Sequence, residues 1–137
     1  IRYNRGALMQ VVSEVPVEKG KWEELYPMQE RTVIAVGNMV ETSMTPARET
    51  GAGLINARCI KPMDEDMIMR LSTVAKRVVV VEDGIDVMGK EIALRLPGIE
   101  VVRLHVPEEL VQHATVAEQR VLCGLTSDDI YRAINGA

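Results

Sequence analysis

The sequence has only two cysteines, and they are not spaced as metal ligands. Cys59 and Cys123 are far apart in the chain, no CxxC pair occurs, and His105 and His113 are the only other soft ligands. Structural zinc sites use four such ligands in short, paired spacings. We therefore expect no metal site, and two reduced thiols in a cytoplasmic protein.

Three further features are missing. Lys and Arg number 16 against 20 Asp and Glu, a net charge of −4, and no basic tract stands out that would neutralise nucleic-acid phosphates. No apolar run approaches the roughly 20 residues of a membrane span. Residues 1–6 are polar and basic where a secretory signal would be apolar. We expect neither a nucleic acid nor a membrane as partner.

The chain contains enough hydrophobic residues to form one core. With 137 residues, 47% of them hydrophobic, the chain has the size of a single domain. Its first residue is Ile1 rather than Met, which predicts either a domain of a longer polypeptide or a processed or partial chain.

Short Val- and Ile-rich runs alternate with stretches of helical periodicity. The runs lack strict alternation, which is typical of strands covered on both faces. This alternating order of strands and helices predicts an α/β fold with a parallel sheet and helices on both faces. The predicted strands are 32–37, 53–58, 77–83 and 99–104, and the predicted helices are 63–76, capped by Asp64, 89–96, and 126–134, with a capping box of Thr126 and Asp129.

Two regions are harder to assign. An alternating stretch at residues 7–17, followed by a turn signal at 19–21, predicts an antiparallel edge strand. The first crossover helix should lie within residues 39–50, but Pro46 removes a backbone donor there. We expect that helix either to begin at Pro46 with Thr45 as its cap or to be short and broken.

Few residues suggest chemistry by themselves. Gly84 and Gly89 flank a loop that resembles an anion-binding turn, although a tight strand-to-helix turn is the commoner explanation of such glycines. Glu82 and Asp83 follow a strand, where α/β proteins place ligand sites, but solvated loop acids are the commoner reading. His105 and His113 are spaced too widely for a helical metal pair.

The N-terminus offers a better candidate. Arg2 and Arg5 bracket Tyr3 and Asn4 ahead of Gly6. Arginine is the side chain best suited to hold a phosphate or a carboxylate through paired donors. From the residues alone, however, a solvated surface arginine is the commoner explanation.

Six segments carry a family resemblance, and together they run along nearly the whole chain. They are IRYNRG at 1–6, KGKWEEL at 19–25, VIAVGNMV at 33–40, INARCIKPMDEDM at 55–67, VVVVEDG at 78–84 and VPEELVQHATVAEQRVLCGLTSDDI at 106–130. In this order they resemble the C-terminal region of the 1-deoxy-D-xylulose 5-phosphate synthase family. The resemblance implies a three-layer α/β/α fold of the transketolase C-terminal domain type, with a mostly parallel five-stranded sheet and one antiparallel edge strand.

The resemblance also implies a function. Members of that family use thiamine diphosphate and Mg²⁺ to decarboxylate pyruvate and join the two-carbon unit to glyceraldehyde 3-phosphate, a step of isoprenoid biosynthesis. It places cofactor, metal and catalytic groups in the preceding domains of the same polypeptide, in a parent that is a homodimer. This chain alone is then expected to contain no catalytic or cofactor-binding residue and to be inactive.

For the chain itself, the resemblance implies a boundary and one site residue. Residues 1–6 would be the end of the preceding domain or a linker, and residues 7–137 the transketolase C-terminal-like domain. Arg5, before the glycine of IRYNRG, would bind the substrate phosphate.

Differences from the family pattern leave two alternatives open. Asn4 stands where the family usually has proline, the segment 39–56 is shorter, and the glycine cluster after Glu82 is reduced. The alternatives are a diverged, non-catalytic assembly or regulatory module, and the C-terminal domain of another transketolase-like enzyme.

Overall fold

The computed structural model describes residues 13–109 and 111–137. In this part of the chain, strands and helices alternate for most of its length. The strands are β1 (Glu23–Tyr26), β2 (Arg31–Ala35), β3 (Gly53–Asn56), β4 (Arg77–Val81) and β5 (Glu100–Leu104). The helices are α1 (Met39–Thr50), α2 (Glu65–Val74), α3 (Met88–Arg95), α4 (Val116–Cys123) and α5 (Ser127–Asn135).

The strands form one mixed sheet in the order β1-β3-β2-β4-β5. Four strands are parallel, and β1 alone runs antiparallel, pairing Glu23 with Asn56 of β3. In the centre of the sheet, Val33 of β2 lies between Leu54 of β3 and Val79 of β4. The predicted α/β class, with a mostly parallel five-stranded sheet and one antiparallel edge strand, is confirmed.

The core has two halves, one on each face of the sheet. On one face, α2 and α3 bury Met67, Leu71 and Ile92 against the sheet. On the other, α1 and α5 pack side chains such as Met39 and Ile130. Residues 78–81 of β4 are buried in succession because both faces of the strand are covered, which explains why its sequence shows no alternation.

Two helices begin at the N-terminal capping residues that the sequence predicts. The Asp64 carboxylate accepts a hydrogen bond from the Met67 N–H, at 3.1 Å, and begins α2. Thr126 and Asp129 form a capping box that begins α5.

The prediction for α1 was wrong. The helix is continuous from Met39 to Thr50 and carries Pro46 in its interior. Pro46 has no N–H to donate to the Thr42 carbonyl one turn earlier, but that carbonyl accepts a hydrogen bond from the Ser127 hydroxyl of α5, at 3.1 Å. A tertiary contact therefore supplies a donor at the position where proline removes one.

The edge strand was also placed wrongly. The antiparallel strand is β1, which follows the turn at Gly20, whereas residues 13–17 form no strand and residues 7–12 lie outside the described part. Trp22 precedes β1, is 5% exposed and donates its indole N–H to the Cys59 carbonyl, at 2.7 Å. That buried contact fixes the start of the edge strand.

Helix α4 was missed altogether. Its capping box of Thr115 and Glu118 is well formed, but the helix buries none of its residues. Val116, Val121 and Leu122 are exposed. Without a buried stripe there is no helical periodicity for sequence reasoning to detect.

Candidate functional site

The predicted phosphate ligand lies outside the part of the chain that the structure describes. Arg5 precedes Ser13, the first described residue, by eight positions. Its role therefore stays a prediction.

The carboxyl edge of the sheet is where this topology can form a crevice. The chain leaves β2 through α1 toward β3 on one side, and leaves β4 through α3 toward β5 on the other. Such a switch between neighbouring strands is where open α/β sheets bind ligands. Here Asn38, after β2, donates its side-chain N–H to the exposed carboxylate of Asp83, after β4, at 2.9 Å.

The anion-binding turn suggested by Gly84 and Gly89 is filled by the chain itself. The Glu82 carboxylate accepts hydrogen bonds from the backbone N–H groups of Val87, Met88 and Gly89, at 3.1, 3.3 and 3.0 Å. Glu82 is only 5% exposed. The interpretation as a solvated loop acid is therefore wrong for Glu82 and correct for Asp83.

A second buried carboxylate lies beside this turn. The Asp86 side chain is 2% exposed and forms an ion pair with Arg103. His105 approaches the same carboxylate, with its Nε2 3.8 Å from Oδ2, while its Nδ1 lies 3.0 Å from the Val106 carbonyl oxygen. This arrangement ties the loop after β4 to β5.

The histidines and cysteines do not converge. His113 is exposed, and among residues 13–109 and 111–137 no group of three or more His, Cys, Asp or Glu side chains could hold a metal ion. Cys59 and Cys123 are both free.

A cavity of about 230 Å³ opens between α4 and the loops after β4 and β5. It is lined by Asp83, Gln119, Arg120 and Cys123 together with apolar side chains. The buried Nε of Arg120 has no hydrogen-bond partner among the described residues. Sequence reasoning missed this cavity because it depends on α4.

Sequence reasoning also missed a polar cluster at the start of the described chain. The guanidinium of Arg58, just after β3, pairs with Glu23 of β1 and donates to the Ser13 hydroxyl at 2.8 Å. It also donates to the carbonyls of Val15 and Pro16, at 3.1 and 3.3 Å. No local motif signals these contacts, because 42 to 45 positions separate Arg58 from the segment it holds.

No helix in the described part of the chain has both the length and the apolar character needed to cross a membrane.

The comparisons with known proteins agree with the fold. The sequence pattern described as "Transketolase, C-terminal domain" matches residues 20–130. A solved structure titled "Split gene transketolase, inactive beta4 tetramer" superposes with a TM-score of 0.88, at 23% identity, over 97% of this chain and 47% of its own.

Three curated relatives bear the name "1-deoxy-D-xylulose-5-phosphate synthase". That of Syntrophus aciditrophicus is 32% identical over an alignment covering 98% of this chain and 23% of the relative. That of Trichormus variabilis is 38% identical over 84% and 20%, and that of Aquifex aeolicus 32% identical over 100% and 24%. The chain thus spans about a quarter or less of these relatives, and its resemblance to them is confirmed. The match over residues 20–130, together with the five-stranded mixed sheet, shows that the chain belongs to the transketolase C-terminal domain family.

Proposed function

We propose that this chain is the C-terminal domain of a thiamine diphosphate-dependent 1-deoxy-D-xylulose 5-phosphate synthase. The parent enzyme would convert pyruvate and glyceraldehyde 3-phosphate to 1-deoxy-D-xylulose 5-phosphate and CO₂. The observation that carries the proposal is that relatives aligned along nearly the whole chain bear that one name.

The cofactors belong to the rest of the polypeptide in this proposal. Thiamine diphosphate supplies the decarboxylation chemistry when bound, and Mg²⁺ accompanies it. The preceding domains of the same polypeptide would hold both groups. This chain's own contribution is to bind the acceptor and to help assemble the enzyme.

Arg5 is the residue proposed to bind the acceptor phosphate. A guanidinium forms paired, charge-assisted hydrogen bonds with phosphate oxygens. Binding energy gained there, away from the reacting carbonyl, orients the acceptor for reaction. The parent therefore distinguishes a phosphorylated from an unphosphorylated acceptor through this side chain.

Helix α4 is proposed to pack against the rest of the same polypeptide. Val116, Val121 and Leu122 are 63, 67 and 69% exposed, so this eight-residue helix presents three large apolar side chains to its surroundings. About three quarters of the relatives' length lies outside this chain, so ample polypeptide exists to cover them. Homodimer formation by the parent is part of the same proposal.

The test is made on the full-length parent, supplied with thiamine diphosphate and Mg²⁺. We expect 1-deoxy-D-xylulose 5-phosphate to form from pyruvate and glyceraldehyde 3-phosphate, and the 137-residue chain alone to form none. A folded, cofactor-loaded parent that makes no product would contradict the proposed function.

Arg5→Ala in that parent tests the site. Loss of a hydrogen bond to a charged group should lower kcat/KM for glyceraldehyde 3-phosphate by about 10- to 100-fold, mainly through KM. The KM for pyruvate, and the rate with unphosphorylated D-glyceraldehyde, should change much less. Arg2→Ala, in the same segment, is the matched control, and an equal loss with both acceptors would contradict phosphate binding by Arg5.

A further inference from the structure

We propose that the loop between β4 and α3, residues 83–87, is a preformed docking element that packs against the preceding part of the same polypeptide. Ile85, in the middle of this loop, is its central contact. The inference rests on one part of the proposed function, namely that this chain is the C-terminal domain of a longer enzyme. It adds the surface and the side chain through which the two parts meet.

Four of the five loop residues are bonded to residues outside the loop. The bonded pairs are Asp83 with Asn38, Gly84 with Val106, Asp86 with Arg103, and Val87 with Glu82. The fifth residue, Ile85, is 62% exposed. The loop therefore holds a large apolar side chain in the surroundings on a backbone that is already fixed, which lowers the ordering cost of binding.

Buried charge, and not apolar packing, fixes this backbone. The carboxylates of Glu82 and Asp86 are both buried, and Oδ1 of Asp86 has no hydrogen-bond partner among the described residues. Burial of a carboxylate is unfavourable unless its oxygens are bonded. The loop is thus held in one conformation at a cost in free energy, while its own apolar side chain at Ile85 stays outside the core. A contact element for another part of the protein explains both features.

Ile85 belongs to an apolar patch at the carboxyl edge of the sheet. The patch consists of Val15, Ile60, Ile85 and Val87, all of them exposed. Ile60 follows β3, and because β3 and β4 flank β2, the strands that carry Ile60 and Ile85 lie about 10 Å apart. The amino-edge loops 27–30, 51–52, 75–76 and 96–99 are described throughout and contain no exposed Val, Ile, Leu or Met. An apolar surface on one edge alone indicates that this edge is covered in the parent.

The preceding part of the polypeptide is the occupant that the position of the patch favours. The chain matches a C-terminal domain and spans about a quarter or less of its relatives, so most of the parent precedes it. The described chain also starts at this edge, where Ser13 and Val15 bond Arg58 just after β3. The preceding polypeptide is therefore joined to the domain on the side where Ile85 is exposed.

Thiol labelling of the full-length, cofactor-loaded parent tests the inference. Ile85→Cys and Leu94→Cys place a thiol at two positions that are 62 and 78% exposed in the domain, and Leu94, on α3, is the matched control. The rate with iodoacetamide is read at each position by peptide mass spectrometry and divided by the rate in the unfolded parent. Salt at about 0.5 M screens the nearby carboxylates. We expect a relative rate at least about tenfold lower at position 85 than at position 94, because a covered thiol reacts only when the interface opens. Equal relative rates would overturn the inference.

Photochemical crosslinking identifies what covers Ile85. With Ile85→benzoylphenylalanine in the parent, irradiation should give a product that keeps the mass of a single chain on a denaturing gel. The crosslinked peptide should come from the polypeptide that precedes Ile1. A product of twice that mass would mean that a second copy covers Ile85, and crosslinks confined to residues 1–137 would mean that the domain covers it itself. Either result would contradict the proposed occupant.

Ile85→Ser tests the contact without a probe. The side chain is exposed in the domain, so the substitution leaves the core intact. Loss of its burial against the preceding polypeptide should lower the Tm of the parent by about 3 °C or more, and Leu94→Ser should lower it by less than about 1 °C. Similar shifts for the two variants would argue against a contact at Ile85.

None of these measurements depends on turnover, so the inference and the proposed function fail separately. A folded parent that protects position 85 but makes no 1-deoxy-D-xylulose 5-phosphate contradicts only the synthase activity. An active parent that leaves position 85 unprotected contradicts only the docking element.

Discussion

The buried carboxylate of Glu82 occupies the place that an external anion would otherwise take at the start of α3. Three backbone N–H groups that would attract a phosphate are bonded to it. The residues that suggest an anion site in the sequence are thus used to shape the loop after β4. When an acidic residue precedes a glycine-flanked turn, its carboxylate can accept the hydrogen bonds of the backbone N–H groups in that turn.

Position 89 must be glycine because neighbouring side chains leave no room for a Cβ atom. A Cβ there would lie 2.5 Å from Oδ1 of Asp86 and 2.9 Å from Cγ of Arg103. Asp86 cannot move aside easily, because it is buried and paired with Arg103. We expect Gly89→Ala to lower the free energy of unfolding, measured in urea, by about 1 to 3 kcal/mol.

Gly84 in the same loop is the control for that substitution. A Cβ at Gly84 would meet nothing within 4 Å, and its backbone is not left-handed. Gly84→Ala should change the unfolding free energy by no more than about 0.5 kcal/mol. Equal effects of the two substitutions would contradict the steric explanation.

At the scale of elements, α1 shows how a neighbouring helix compensates for a local defect. Pro46 costs the helix one internal hydrogen bond, and Ser127 at the start of α5 donates to the carbonyl left over. α1 and α5 pack on the same face of the sheet, which brings the hydroxyl within reach. Helix α5 therefore supplies a donor that α1 itself lacks at Pro46.

Ser127→Ala tests this dependence. Removing the donor should lower the unfolding free energy by about 0.5 to 1.5 kcal/mol. In a Pro46→Ala background, where residue 46 can donate to the Thr42 carbonyl itself, the same substitution should cost measurably less. A cost that is identical in both backgrounds would show that the hydroxyl does not substitute for the missing N–H.

The missed and misplaced elements have a common cause. Helix α4 lacks a buried face, and the edge strand β1 is recognisable only through its pairing with β3. In contrast, α2 and α5 carry both a buried stripe and a capping residue, and their positions follow from the sequence. An element is predictable when its own residues contain the signal, and not when a neighbour supplies it.

At the scale of the whole molecule, acid should weaken the fold. Hydrogen bonds from Lys21 to Asp66, from Thr115 to Glu118 and from Thr126 to Asp129 lower the pKa of each of these carboxyl groups. A carboxyl whose pKa is lower in the folded than in the unfolded chain adds stability above its unfolded value. That stability is lost as the pH falls through the folded value.

The expected result is a smaller unfolding free energy in urea at pH 3 than at pH 6. Asp129→Asn isolates one contribution, since its destabilisation should be largest at pH 6 and shrink as the pH falls below about 4. Asp128→Asn, at the neighbouring exposed position, is the control. A destabilisation by Asp129→Asn that is independent of pH would contradict an ionic contribution.

Local patterns of burial and capping were sufficient to predict the fold class, four of the five strands and the helix starts at Asp64 and Thr126, because each segment carries these patterns in its own residues. The family followed from the resemblance of six sequence segments. Three features became visible only in the folded chain: α1 continues through Pro46, Glu82 is buried, and Arg58 bonds Ser13, Val15 and Pro16. Ser127 and Arg58 bond groups that are far away in the chain, and Glu82 bonds backbone N–H groups of its own loop. The spacing of residue types in the sequence does not specify such contacts.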